Sequence, residues 1–372
     1  MILQHLTLQN FRNYAKREFT FSPDLTVIVG PNAAGKSNLV EAISLLSVGK
    51  SFRTDKERQL VQFGKPMARV KGSTLSLRAK NERGNLVDEI ASSHTPRNDE
   101  SDDLEVTVME SAKFVLQKRY LVNGVSKRRV DFAGRLPAVF FTPLDLDIVS
   151  GQPGNRRRFL DDILEQVDMD YRLALSTYTK ALRQRNALLD EVQKSGQRDE
   201  ARFSYWDNLL IKNGGVVTQK REEVIEYINA REKKMFPFTL EYDKSVMSEE
   251  RLLQYKHAEV GAGSTLVGPQ RDDVIIKSHN EASGELEDVK YFCSRGQQRL
   301  VTLELKLSQI AVIKEKKGED PLLVLDDIFS ELDSEHIDQV LGMANEYQTI
   351  ITTTHKEFVE GIGGKAVEVI EL

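Results

Sequence analysis

The chain has 372 residues, long enough for two domains with substantial cores, and 40% hydrophobic with 29% charged residues is ordinary water-soluble composition. No apolar run reaches the roughly 18 residues of a membrane span, and the single cysteine, Cys293, excludes an intrachain disulfide framework and fits a reducing cytoplasm. A formal net charge of −5 excludes a surface coated in positive potential, so nucleic-acid contact has to come from local basic clusters or from oligomerisation that concentrates them.

From the N-terminus, Met1 to Tyr14 alternates apolar and polar residues, which predicts a strand and lacks the apolar core of a signal peptide. Leu25 to Val29 is an apolar run, read as a buried strand, that leads directly into Gly30 to Ser37, GPNAAGKS, a match to G-x-x-x-x-G-K-[ST]. Strand plus motif predicts a phosphate cradle over Gly30, Pro31, Asn32, Ala33, Ala34 and Gly35. Glycine is expected at 30 and 35 because the backbone there turns with positive φ and approaches phosphate oxygens closely. Lys36 supplies a cation for the β/γ-phosphates and Ser37 a hydroxyl for Mg²⁺. The helix that follows, from Asn38 to Leu46, points its positive dipole end at the anion.

Up to about Thr142 the pattern is strands and hairpins around this one helix, with Asn123-Gly124 marking a type I′ turn and His94 to Asp103 an exposed acidic loop. From Asn155 to about Lys234 long helical stretches follow, with breaks expected at Lys194-Ser195-Gly196 and at Gly214-Gly215. Pro237 closes that region. Past Gly261 to Gly263 lies Gly268 to Asp273, GPQRDD, which is either a functional block or a structural ion-pair turn. Ser294 to Gln298, SRGQQ, precedes a helix whose apolar face is Leu300, Leu303, Leu307, Ile310 and Ile313. A hydroxyl, an open glycine and a helix N-terminus form either an anion site or an ordinary cap. Pro321 to Leu325 reads as a central parallel strand that delivers Asp326 to Mg²⁺ and Asp327 to the attacking water. A Ser330-Glu331-Leu332-Asp333 turn follows, and Gln348 to His355 reads as another strand ending at the same sheet edge.

This set, in this order, resembles the ABC-type ATPases of DNA repair and chromosome maintenance, and within them the RecF family. The blocks that carry the resemblance span nearly the whole chain: Leu8 to Tyr14, GPNAAGKSN, Lys50 to Thr54, Phe141 to Leu146, Arg156 to Asp161, Leu182 to Asn186, GPQRDD, SRGQQR, LLVLDDIFSELD and TTTH. The resemblance implies an α/β fold, an ABC-type P-loop ATPase head. Its ATP-binding mixed α/β lobe comprises residues 1–143 and 300–372, and an inserted, mainly helical lobe of residues 144–299 carries the signature. It implies an ATP-dependent homodimer in which Ser294 and Gly296 of one subunit close on the γ-phosphate held by the other. Asp333 then lies in the loop crossing the interface and His355 at the switch position; Gly30 to Asn38 bind nucleotide, Ser37 and Asp326 hold Mg²⁺, and Lys36, Asp327 and His355 are catalytic.

Three positions and one segment depart from the wider pattern. Arg295 replaces a glycine, Asp327 a glutamate one methylene longer, Gln270 a histidine, and Phe141 to Asp145 offers no glutamine to sense the γ-phosphate. Slow, DNA-stimulated hydrolysis is therefore expected. The resemblance also implies a cytoplasmic DNA clamp of recombinational repair, replication-fork maintenance and the SOS response, acting at single-strand gaps and junctions with RecR and RecO type mediators.

Basic residues cluster at Lys127, Arg128 and Arg129, at Arg156, Arg157 and Arg158, and at Arg183 and Arg185. Each cluster alone is equally a solvated face; beside the resemblance they are candidate phosphate contacts on duplex DNA. Aromatics are sparse near them, so base stacking is not indicated. A transporter ATPase subunit shares the phosphate loop but not the RecF-like blocks. A small-molecule P-loop kinase is disfavoured by the separate Ser294-Gly296 block.

Overall fold

The computed structural model describes residues 1–54, 56–75, 101–110, 116–280, 284–328, 342, 346–354 and 367–372. In chain order, the hairpin of β1 (Ile2–Phe11) and β2 (Tyr14–Thr20) is followed by β3 (Leu25–Val29) and α1 (Lys36–Val48). Next come β4 (Met67–Leu75), β5 (Ser101–Glu110), β6 (Leu116–Val122), β7 (Val125–Lys127) and β8 (Ala138–Phe141). The helices α2 (Pro153–Val167), α3 (Met169–Ser195) and α4 (Glu200–Ala230) precede β9 (Thr239–Asp243), β10 (Asp273–His279) and β11 (Leu286–Asp288). The chain then runs through α5 (Arg295–Lys317), β12 (Leu322–Asp326), β13 (Thr349–Thr353) and β14 (Val367–Glu371).

Two compact units result, Met1–Pro143 with Ile313–Leu372, and Leu144–Val312. The second crossing lies inside α5, not at residue 300 where the sequence pattern changes, because the helix runs uninterrupted past that point.

In the first unit, β14-β3-β13-β12-β8 form a parallel sheet and β2-β1-β4-β5-β6-β7 an antiparallel one. Helix α1 packs on strands of both sheets, so its residues Leu39, Val40, Ile43 and Leu46 join one core with Leu6, Val70, Val106, Val324 and Ile350. That two-sided cover explains the sequence textures. The parallel strands LTVIV and LLVLD are buried at every position, whereas β1 faces water on one side and alternates. Asn123 and Gly124 both take positive φ, 51° and 77°, in the type I′ turn joining β6 to β7. Ser101 to Asp103, expected in a loop, belong to β5 and pair with β4, because Leu104, Val106 and Val108 set an inward alternation that carries back through them. The rest of that expected loop, 94–100, lies outside the described residues.

In the second unit, α3 and α4 form a long helical hairpin over α2 and the sheet β11-β10-β9. Asp168 caps α3 through the Tyr171 N–H at 2.9 Å, Gly196 ends it with φ 70°, and Asp199 caps α4 through the N–H groups of Ala201 and Arg202. The expected break at Gly214-Gly215 does not occur. A Cβ on Gly214 would lie 3.1 Å from Tyr178 and 3.3 Å from Met247, so this glycine serves close packing within a continuous helix. Helix α5 is also more deeply buried than its expected single face. Leu303, Ile310 and Ile313 are buried, Leu300 and Leu307 only partly, and Val301, Leu305 and Val312 enter the core of this unit on another face.

Candidate nucleotide site

The parallel register brings three strand ends to one edge. Val29 pairs with Thr353 and Asp326 with Thr352, so the phosphate-loop strand and the Asp326-Asp327 strand are separated by β13, about 10 Å at ordinary strand spacing. Gly30 N–H donates to Thr353 O at 3.2 Å, and Asp327 N–H to Thr352 O at 3.1 Å. The Thr352 hydroxyl donates to the buried Asp326 carboxylate at 2.6 Å, orienting it. Asp327 follows with φ 52°, a left-handed conformation that a short polar side chain tolerates and that concentrates at functional sites. Strand β8 reaches the same edge through the Leu325–Phe141 pair.

The loop itself is braced from outside. Gly35 has φ 117°, and a Cβ there would meet Asn13 Nδ2 at 2.7 Å and the Tyr14 hydroxyl at 2.8 Å. Asn13 Nδ2 donates to Ala34 O at 3.1 Å and Tyr14 to Gly35 O at 3.1 Å; burial pushes the Tyr14 phenol up to about 12, only partly offset by Arg17, so it stays a donor at neutral pH. Gly30, expected at positive φ, does not adopt it. Its constraint is space, with Leu372 Cβ 3.1 Å from where its own would stand; the positive φ falls on Ala33, at 66°. Lys36 is buried, its ammonium donating to Gly30 O at 2.6 Å and Pro31 O at 3.0 Å. Ser37 and Asn38 are half-buried beside it, Pro31, Asn32 and Ala33 exposed and Ala34 half-buried. Gly35 has no side chain to cap α1, which leaves first-turn N–H groups directed at the cradle.

Sequence motifs did not single out the network behind this loop. Glu41, fully buried in α1, accepts Arg12 Nε at 2.7 Å, Arg12 Nη2 at 2.6 Å and the Ser51 hydroxyl at 2.5 Å, with Arg53 Nη1 at 3.8 Å. Arg53 Nη1 also donates to Asn38 Oδ1 at 2.8 Å, and Asn38 Nδ2 to Asn13 Oδ1 at 2.9 Å. A buried carboxylate requires such partners. The signal was present as a lone Glu in the apolar run from Leu39 to Val48, but its partners come from blocks at 12–13 and 51–53 that no local pattern connects.

The SRGQQ turn has a different construction. Ser294 and Gln297 form a reciprocal cap: Gln297 N–H donates to Ser294 Oγ at 3.3 Å and Ser294 N–H to Gln297 Oε1 at 2.8 Å. Gln298 anchors the turn from below by donating to Lys290 O at 3.1 Å and Cys293 O at 3.2 Å. Ser294, Arg295 and Gly296 are exposed. Among the described residues a Cβ on Gly296 would meet only Ser294 Oγ, at 3.9 Å, so packing against them does not require glycine there.

The family model of the RecF/RecN/SMC N terminal domain matches residues 2–371. Curated relatives include the DNA replication and repair protein RecF of Thermosynechococcus vestitus, 36% identical over 95% of this chain and 91% of that protein, and that of Cyanothece sp., 33% identical over 100% and 96%. The chain belongs to the RecF family of DNA replication and repair proteins. A solved structure of the recombination mediator protein RecF-ATPrS in the RecFOR pathway superposes with a TM-score of 0.81 at 28% identity, covering 99% of this chain and 96% of that one. The corresponding RecF-ATP structure gives 0.79 at 28%, covering 95% and 92%. The ABC-type head expected from the motifs is thus the fold of this RecF-family chain.

The basic clusters divide sharply. Arg156, 8% exposed, grips Asp273 with bonds of 2.7 and 2.9 Å, and Arg185, fully buried, reaches Asp207 at 2.5 Å and Glu259 at 2.7 Å. These two, expected at a DNA surface, are interior ion pairs: a guanidinium at an inward helix position needs a carboxylate partner once water is removed. Arg157 donates to Asp272 O at 2.5 Å, and burial together with the nearby Arg221 lowers its pKa. Arg129 donates to Val48 O at 3.1 Å, and Arg128 is exposed but pairs with Asp131 at 2.7 Å. Lys127, Arg158 and Arg183 are exposed. GPQRDD is an ion-pair turn: Asp272 accepts Ser245 N–H at 2.7 Å and the Tyr242 hydroxyl and faces Arg221, while Gln270 pairs with Tyr178. Asp333 and His355 lie outside the described residues.

Proposed function

We propose that this protein is an ATP-dependent DNA clamp of recombinational repair and replication-fork maintenance, closing as a homodimer and hydrolysing ATP slowly. The observation that carries the reading is the sheet edge on which Gly35, Lys36 and Ser37 stand two strands from Asp326 and Asp327. The fit to Mg²⁺ rests on the donor set: a half-buried hydroxyl at Ser37 and a carboxylate at Asp326 already oriented by Thr352. Bound there, Mg²⁺ neutralises charge on the β/γ-phosphates. Lys36 turns its ammonium from two backbone carbonyls to phosphate oxygens. Asp327, outside the Asp326–Thr352 bond, orients and deprotonates the attacking water, with a reach one methylene shorter than glutamate. Ser294 and Gly296 complete the site from a second copy; Asp333 and His355 have interface and switch roles in this reading on their sequence motifs alone. The open space at Gly296 supports this, because a close approach by something outside the chain is what a bare glycine there accommodates.

Among the described residues no helix is long and apolar enough to cross a membrane. The cytoplasm, gapped DNA and RecR and RecO type mediators are the setting the family points to. Sedimentation with ATP and gapped duplex, each alone and together, tests the whole reading: ATP should shift the protein to a dimer and DNA should stabilise it. A sedimentation coefficient indifferent to ATP would sink the clamp.

A further inference from the structure

Phe63 is 100% exposed, at the tip of the turn Gln62 to Lys65. A single exposed apolar side chain needs no explanation in itself; this one stands on a hydrogen-bonded turn in a basic segment. Lys65 N–H donates to Gln62 O at 3.0 Å and Gly64 takes φ 77°, which makes a type II turn with Phe63 at its first corner. Arg58 Nη1 donates to Lys65 O at 3.2 Å, Gln62 N–H to Asn10 O at 2.8 Å, and Val61 bridges Phe11. The turn is thereby tied to β1 from one side and to the preceding 3₁₀ turn from the other. Lys65 lies in the turn and Arg58 is bonded to it, both exposed, as is Lys56 just before the 3₁₀ turn, while Glu57 is engaged by Lys118 at 3.0 Å. Among the described residues of this unit the other large apolar residues exposed are Val125 and Val369, neither in the same segment.

We infer that Phe63 is a stacking element for a nucleic-acid base exposed at a duplex end, gap or junction, with Arg58, Lys65 and Lys56 on the adjoining phosphates. The chemistry favours this occupant over a protein. A standard protein interface buries roughly 800 Å² on each partner around an apolar centre. One flat ring with three cations instead matches the stacking platforms of single-strand binders. A duplex without ends or gaps offers no free base face, so the ring discriminates gapped from continuous DNA. The inference rests on the DNA-binding reading above and supplies the structure selectivity that the basic clusters, as phosphate contacts, lack.

The test measures affinity of the full chain, with ATP, for a covalently closed circular duplex and for the same circle carrying a single-strand gap. Phe63→Ala should weaken gapped DNA by roughly tenfold, the value of one aromatic–base stack, while leaving the intact duplex within about twofold. Phe63→Trp should restore the preference. Equal weakening on both DNAs, or no change on either, overturns the inference while the DNA reading stands. No binding by the parent protein overturns both. Unchanged DNA affinities with altered self-association would assign the ring to a contact between copies and likewise overturn it.

Discussion

Two turns in this molecule end in a helix N-terminus suited to an anion, and they are built in opposite ways. The Gly30–Ser37 loop is enclosed: Asn13, Tyr14 and Leu372 touch it, Glu41 and its arginines stand behind it, and a Cβ at Gly35 has nowhere to go. The Ser294–Gly296 turn is exposed, held among the described residues by its reciprocal cap with Gln297 and by Gln298 beneath. The first is a complete preorganised cradle. The second, on the function proposed above, is half of a site, a surface whose glycine acquires a purpose when another surface meets it.

The contrast is broken most severely at Lys36. Lys36→Ala should weaken ATP binding about a thousandfold, since two charge-assisted contacts to phosphate are lost from a buried position, and dimer closure goes with it; calorimetry showing parental affinity would refute the cradle. Ser294→Arg should do the reverse, leaving the nucleotide affinity of a monomer unchanged and abolishing ATP-driven association and hydrolysis. Mixing the two mutants rebuilds one composite site from the intact loop of one and the intact turn of the other. Recovery of no association, with both proteins folded, would count against the shared site.

Asp327→Asn should slow turnover by about a hundredfold or more while ATP binding persists, trapping a long-lived dimer; hydrolysis at the parental rate would remove Asp327 from the mechanism. Among the arginines, Arg156→Ala should cost roughly 1–3 kcal/mol of stability by removing the guanidinium from Asp273, which keeps Val274 N–H and the nearby Arg157. Joint replacement of Arg158 and Arg183 should leave the melting temperature alone and reduce the salt slope of DNA binding by about two; a destabilised double mutant with an unchanged slope would reverse the assignment. The smallest effect belongs to Ser294→Ala, which loses the reciprocal cap at about 1 kcal/mol and, if the turn is only a cap, nothing more than melting temperature.

Acid releases the Arg156–Asp273 pair. Burial opposes the Asp273 charge, but the Arg156 hydrogen bonds, Val274 N–H and Arg157 outweigh it and hold its carboxyl below the usual range. Its contribution is therefore complete above the ordinary carboxylate value near pH 4 and disappears as pH falls through the depressed folded value. Asp273→Asn should flatten the acid limb of a thermal stability profile; an unchanged limb would show that the pair is not coupled to folding.

Periodicity and motif spacing determined much of this protein from its sequence. The strand before the phosphate loop, the Asn123-Gly124 hairpin, the end of α3 at Gly196 and the LLVLD strand are all written locally, because a buried parallel strand must be apolar throughout and a turn with positive φ selects its residues. What the sequence could not decide is which polar groups face inward. Arg156 and Arg158 are two places apart in one basic run, yet one closes on Asp273 and the other meets water, since a 3.6-residue period carries neighbours to different faces and the partner carboxylate comes from 117 residues away. Gly214 reads locally as a helix break and is instead a contact point for Tyr178 and Met247. Glu41 reads as an unexplained charge in an apolar helix and becomes the anchor of Arg12, Ser51 and Arg53. In each case the deciding atoms belong to distant segments, and only packing, which removes water and demands a partner for every buried charge, brings them together.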